Sequence, residues 1–273
     1  QAFMTELCRH IGPATDIAAG DIGVGPREIG YLFGQYKRIR NRFDGALTGK
    51  GLAFGGAPLR AEATGYGLVH FACIMAHAAD RSLDGQRIAI SGAGNVALHA
   101  AERATAYGAK VVSLSDSGGA LICEDGFDAE TIDRLKTLKL DEHGALADAD
   151  GTTGLRWDAD GSPWQGEFAI ALPCATQNEV DADTAGQIVE AGAFLLAEGA
   201  NMPCTHDAVV RLKEGGLLYA PGKAANAGGV AVSGFEMRQN SAFARGDREA
   251  LDDRLKDVMA HIHDMCQIGR AHV

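Results

Sequence analysis

The segment Ser91-Gly92-Ala93-Gly94-Asn95-Val96-Ala97 constrains this chain more than any other. It follows a short apolar run, residues 87–91, that reads as a strand, and it opens an alanine-rich run, 95–107, that reads as a helix. G-x-G-x-x-A between a strand and a helix has a definite physical use. Gly92 permits the tight turn, Gly94 lets the backbone approach a pyrophosphate, and Ala97 is small enough for helix and strand to pack closely. The helix N-terminus then offers free N–H groups and a favourable dipole to an anion. In a chain with 36 glycines the pattern alone would also fit an ordinary strand–helix turn. The flanking strand and helix favour the dinucleotide, and Gly92, Gly94, Asn95 and Val96 are the first candidate contacts to it.

The rhythm around the turn sets the fold class. Residues 110–115, 169–172, 194–197 and 217–220 read as further short strands, with helical runs at 128–140, 181–191 and 205–213. Strands alternating with helices imply an α/β domain, a Rossmann-like doubly wound parallel sheet covered on both faces. Upstream, the run 1–11 reads as a helix end stopped by Gly12-Pro13. Pro26 opens a helix to about Arg42, since its missing N–H had no partner at that position. A glycine-rich loop covers 48–56, a third helix runs from about Glu62 to His77, and a final helical region covers 230–267.

The second strand ends Ser115-Asp116-Ser117. An acidic residue about 20 positions beyond the first glycine holds the adenosine ribose in such sites. A plain NAD site favours the carboxylate alone, whereas flanking hydroxyls can donate to a 2′-phosphate. Lys139, at the end of the following helix, adds positive charge; alone it would read as a solvated lysine. Asp116, Ser117 and Lys139 therefore favour NADP over NAD.

Charge and cysteines exclude several classes. The formal net charge of −11 is spread along the chain, which disfavours nucleic acid and anionic membranes as partners. No apolar run of about 18 residues reads as a membrane span, and no secretory signal pattern is visible. The six cysteines form no C-x-x-C pair, so neither a zinc site nor a disulfide framework is expected, and free thiols in a cytoplasmic protein are. His261 and His263, two apart on a helix, point to different sides, so no metal site is expected and a surface helix is. Residues 268–273 resemble the translation of a sequencing-adapter oligonucleotide and are expected to be a non-native tail. The chain opens at Gln1 within a helical pattern, so a longer natural protein is expected.

Further segments converge on one family. They are Ala19-Gly20-Asp21-Ile22-Gly23-Val24-Gly25, Thr48-Gly49-Lys50-Gly51, Phe54-Gly55-Gly56, and Arg60 followed by Glu62-Ala63-Thr64-Gly65-Tyr66-Gly67. Later come Leu172-Pro173-Cys174-Ala175-Thr176-Gln177-Asn178-Glu179, Ala197-Glu198-Gly199-Ala200-Asn201 and Asn226-Ala227-Gly228-Gly229-Val230. In this order they resemble the small-subunit hexameric glutamate dehydrogenases, within the Glu/Leu/Phe/Val dehydrogenase superfamily. The resemblance spans residues 1 to about 267. It implies reversible oxidative deamination of L-glutamate to 2-oxoglutarate and ammonia with NADP(H). It implies Asp21 as the catalytic aspartate, which alone would read as a loop cap, and Gly20 and Ser233 as substrate contacts. Ser233 alone would read as a helix-start serine. Thr64, Asn95, Ala175, Thr176 and Asn201 match cofactor contacts; Arg60 falls near the cleft with no assigned role. The family's catalytic lysine lies upstream of Gln1, and Lys50, in a different motif, is not its replacement. The implied domains are 1–55, the remnant of an N-terminal α/β substrate-binding and oligomerisation domain, and 56–267, the dinucleotide-binding domain. A homohexamer is implied for the full-length protein. Two alternatives stay open: a branched-chain or aromatic amino-acid dehydrogenase of the same superfamily, and a non-catalytic nucleotide-binding subunit.

Overall fold

The computed structural model describes residues 1–271; of the tail expected at 268–273, residues 272–273 lie outside the described residues. The chain begins with α1 (Ala2–Leu7) and α2 (Pro26–Arg40). Then come α3 (Ala63–Ala78), β1 (Arg87–Ser91), α4 (Asn95–Ala106), β2 (Lys110–Asp116), β3 (Gly119–Ile122) and α5 (Ala129–Lys136). β4 (Arg156–Ala159), β5 (Ile170–Pro173), α6 (Ala182–Glu190), β6 (Leu195–Ala197), α7 (His206–Glu214) and β7 (Leu218–Ala220) follow. The last helices are α8 (Gly222–Ala225), α9 (Gly228–Ser241) and α10 (Arg248–Ala271). Two compact units result: Gln1–Ala63 with Gly229–Val258, and Thr64–Gly228 with the chain from Met259 onward.

In the first unit α2 starts as its sequence requires. Pro26 occupies the first turn, and the Gly25 N–H donates to Glu28 Oε2 at 2.9 Å. The helix stops at Asn41, whose φ of 52° is left-handed. Ile29, Phe33 and Tyr36 lie on one helical face and pack with Met4 of α1, with its C-cap Cys8, and with Ile11, Ala46 and Leu47. Full burial of a side chain such as Phe33 contributes roughly 1.5–3 kcal/mol. Ala18 and Leu47 pair in parallel, with Thr48 N donating to Ala18 O at 2.9 Å. That pairing sets the 18–25 segment beside the 48–56 loop.

The second unit is built on a seven-stranded sheet of order β4-β3-β2-β1-β5-β6-β7. β2, β1, β5, β6 and β7 run parallel, as the alternation of strands and helices predicts. They are buried and apolar because helices cover them; Ile88, Ala89 and Ile90 are fully buried. The sheet is nevertheless mixed: β3 runs antiparallel to β2, and β4 to β3. A tight turn after β2, with Gly118 N donating to Asp116 Oδ1 at 3.0 Å, reverses the chain. The face of the sheet packs Ala89, Val112, Ala171 and Leu196 against Ile188 of α6 and Leu212 of α7.

Three other expectations change. The final helical region divides into α9 and α10, because Phe243 takes φ 50° and Gly246 N caps back to Gln239 Oε1 at 2.9 Å. Ser233 sits inside α9 rather than at its start, since the helix already begins at Gly228. His263 is buried with its ring edge-on to Phe71 at 5.6 Å, so that turn of α10 faces a core while His261 stays exposed. Among the described residues no group of three His, Cys, Asp or Glu side chains is arranged to hold a metal. No described helix is long and apolar enough to cross a membrane.

Candidate functional site

In the second unit the strand order reverses at β1, with β2 on one side and β5 on the other. The crevice beyond the carboxyl ends of such strands is where open α/β sheets bind ligands. The turn after β1 lies there. Gly92 has φ +85°, and a Cβ on it would come 2.9 Å from Ala175 Cα, so both conformation and space demand glycine. Its N–H donates to Ser115 Oγ at 3.0 Å, which ties the turn to β2. Gly94 is the exposed N-cap of α4, and no side chain caps that helix. A helix N-terminus without a side-chain cap, at the carboxyl end of β1, fits a dinucleotide pyrophosphate.

Helix packing gathers other candidates around α4. A Cβ on Gly65 would lie 2.6 Å from Val96 O and Ala100 N, so α3 crosses the start of α4 in close contact. Thr64, at the start of α3, is thereby carried to the neighbourhood of Asn95 and Val96. Val96 Cγ1 also packs where a Cβ on Gly199 would fall. Ala175 and Thr176, beyond β5, are exposed, and their N–H groups donate to Glu179 Oε1 at 3.0 and 3.2 Å. Burial pushes the Glu179 carboxyl up, against the lowering effect of bonds from Ser91 and these two N–H groups. Asn201, beyond β6, accepts from Asn226 Nδ2 at 2.9 Å.

Asp116 and Lys139 meet directly, at 3.1 Å. Asp116 Oδ2 also accepts from Leu146 N at 2.9 Å and Oδ1 from Gly118 N, while Lys139 Nζ donates to Gly144 O at 2.8 Å. Burial raises the Asp116 carboxyl, but these N–H bonds and the Lys139 ammonium outweigh it and hold it below the usual range. The aspartate is thus a compensated charge, and Ser117 beside it is exposed. A carboxylate so compensated admits a second anion nearby, as a 2′-phosphate would be.

The first unit gathers a different set. Ser233 Oγ on α9 accepts from Arg60 Nε at 2.8 Å and from Thr48 Oγ1 at 3.2 Å. With both lone pairs engaged, the Ser233 proton is left to donate to a third group. Burial lowers the Arg60 pKa and Glu236 opposes the shift; the guanidinium stays charged. One turn along α9, Glu236 forms a buried ion pair with Lys50 at 2.5 Å and accepts from Gly49 N and Ala57 N at 3.1 and 3.3 Å. Asn240 Nδ2 donates to Gly55 O at 3.0 Å. One helix thus organises the entire 48–60 loop. Half-buried Gly20 leads into an exposed turn that begins at Asp21 and is closed by Val24 N donating to Asp21 O at 2.8 Å, just beyond the Ala18 pairing. A Cβ on Gly20 would meet Val24 O. Arg60 carried no role from sequence and Glu236, Thr48 and Glu179 were not candidates. In the sequence only a charge or a hydroxyl marks them, with no spacing that ties them to the site.

Comparison with known proteins joins these features. The family model described as Glutamate/Leucine/Phenylalanine/Valine dehydrogenase matches residues 55–269, and that of the family's dimerisation domain matches residues 1–38. The chain belongs to this dehydrogenase family. It is 49% identical over 266 residues to the NADP-specific glutamate dehydrogenase of Salmonella typhimurium, covering 97% of this chain and 60% of that one. It is 51% identical over 271 residues to the NADP-specific glutamate dehydrogenase of Fusarium fujikuroi, covering 95% and 60%. Among solved structures, Plasmodium falciparum glutamate dehydrogenase superposes with a TM-score of 0.92 at 46% identity, over 96% of this chain and 56% of the other. The chain therefore spans about 60% of the length of these curated dehydrogenases.

Proposed function

We propose that this chain is the cofactor-binding part of an NADP-dependent glutamate dehydrogenase, which interconverts L-glutamate with 2-oxoglutarate and ammonia. The observation that carries the reading is the left-handed Gly92 turn into α4, packed on Ala175, together with the compensated Asp116–Lys139 pair. The names of the relatives, NADP-specific glutamate dehydrogenases at about half identity, support it. Gly92, Gly94, Asn95 and Val96 hold the pyrophosphate, Asp116, Ser117 and Lys139 the adenosine ribose and its 2′-phosphate, and Thr64, Ala175, Thr176 and Asn201 the remainder of the dinucleotide. The bound nicotinamide supplies the hydride acceptor or donor at substrate Cα.

The chain's own residues do the rest of the work assigned here. Ser233, its lone pairs taken by Arg60 and Thr48, donates its proton to a substrate carboxylate. Arg60 adds positive charge at the same place, which selects an acidic substrate side chain. Asp21 moves a proton at the reacting nitrogen, and the Gly20 backbone approaches the substrate where a side chain would not fit. The reading extends to residues 1–55 as part of a substrate-binding and oligomerisation domain, with a catalytic lysine supplied from outside this chain, and to a cytoplasmic homohexamer. Assaying the complete protein with ammonia and either 2-oxoglutarate or 2-oxoisocaproate tests the substrate; faster reduction of 2-oxoisocaproate would assign the branched-chain alternative. Fluorescence titration tests the cofactor, with tighter binding of NADPH than NADH expected. In the complete enzyme, Ser233→Ala is expected to raise KM for glutamate more than it lowers kcat.

A further inference from the structure

We propose that Glu102 and Lys136 are positioning residues for cofactor choice: their ion pair, tied to Tyr66, fixes the turn that delivers Lys139 to Asp116. The inference rests on the NADP reading above and concerns side chains that touch no part of the dinucleotide-binding turn.

The geometry begins at the last residue of α5. Lys136 Nζ donates to Glu102 Oε1 at 2.9 Å, and Glu102 Oε2 accepts from Tyr66 OH at 2.8 Å. Three helices, α3, α4 and α5, are thus joined at one carboxylate. Immediately after Lys136 the helix widens into a π-type turn, Thr137–Asp141, closed by Glu142 N donating to Thr137 O at 3.0 Å. Such turns are rare and sit frequently at functional sites. In a continuing α-helix Lys139, three residues on, would share the α4-facing side with Lys136. The widened turn instead sends it to Asp116, where its side chain is 17% exposed. The position of Lys139 therefore depends on where α5 is anchored: Ile132 and Leu135 bury its apolar face, and the Lys136–Glu102 pair fixes its last turn.

The functional consequence is selective. With Lys139 in place, Asp116 is a neutralised acceptor beside which a 2′-phosphate can sit. With α5 loosened, Lys139 swings away and Asp116 repels that phosphate, whereas a dinucleotide without one loses little. A role in packing alone would affect both dinucleotides alike.

The test titrates NADPH and NADH into the wild-type protein and into Glu102→Gln, Lys136→Met and Lys136→Arg, with thermal unfolding recorded for each. Glu102→Gln and Lys136→Met are expected to weaken NADPH by about three- to tenfold and NADH by less than about twofold, in keeping with loss of a half-covered ion pair and a charge-assisted bond. Lys136→Arg is expected to keep the wild-type ratio. Equal weakening of both dinucleotides, or an unchanged ratio, overturns the inference and leaves the NADP reading intact. A wild-type protein that binds NADH more tightly overturns the NADP reading, and this inference with it. Lys136→Met removes the same pair from the α5 side and carries the test where Glu102→Gln does not fold.

Discussion

At the β1–α4 turn the groups proposed to bind are main chain: Gly92 supplies a left-handed turn, and Gly94 starts α4 without a side-chain cap. In the first unit they are side chains brought together from far apart. Ser233 meets Arg60 across 173 positions, and Glu236 meets Lys50 across 186. A main-chain site tolerates almost any side chain around two or three glycines, so its energy lies in conformation. A side-chain site lies in a buried charge network, and each partner removed leaves another unsatisfied. The two regions should therefore fail differently.

The largest failure is expected at Glu236. Glu236→Ala leaves the buried Lys50 ammonium its bond to Leu47 O but no counter-charge, and loss of one partner of a buried pair costs about 3–5 kcal/mol. Lys50→Met should cost less, because Glu236 keeps its bonds from Gly49 and Ala57. Chemical denaturation of the two variants measures the difference, and equal losses would erase the asymmetry on which the comparison rests. Next, Gly92→Ala forces a side chain into a left-handed conformation that costs roughly 1–2 kcal/mol. It also presses against Ala175, so NADPH binding should fall by more than the stability loss alone explains. A variant with wild-type affinity would show that the turn is not the binding element. Smaller still is Thr205→Ala, which removes the N-cap bond to Ala208 N and should cost about 1 kcal/mol with no change in dinucleotide affinity.

The smallest effect appears only in acid. The Asp116 and Glu102 carboxyls are both raised by burial and lowered further by their donors, and both end below the usual range. A carboxyl depressed in the folded state adds stability that is complete above its unfolded value and is lost as pH falls through the folded one. Asp116→Asn should therefore flatten the acid limb of the stability profile below the ordinary aspartate pKa. A steeper limb would contradict the pairing with Lys139.

The same contrast explains what the sequence disclosed. The β1–α4 turn and the buried strands were legible because their signals are local: an apolar run, two glycines and an alanine within seven residues. β3 and β4 were missed because Gly119–Ile122 opens on a glycine straight after a turn and Arg156–Ala159 carries two charges, so only their pairing across a sheet edge makes them strands. The break between α9 and α10 depends on one left-handed Phe243, a conformation no propensity favours. Ser233 entered as a candidate only through the family resemblance. Its neighbours Thr48 and Arg60 are chosen by tertiary packing, which periodicity does not encode. The burial of His263 belongs to the same class, since its contact with Phe71 is not a helical spacing.

The return of Gly229–Val258 to the first unit has a consequence in time. On a ribosome, Lys50 emerges with its loop and has no counter-charge until Glu236 follows, 186 residues later. At synthesis rates of about 5–20 residues per second this is a wait on the order of ten seconds or more. The intervening Thr64–Gly228 stretch is contiguous and holds every strand of its sheet, so it can close first. For that interval the nascent first unit carries an unpaired ammonium in its 48–60 loop, while α1 and α2 can already pack on each other and on Ala46 and Leu47.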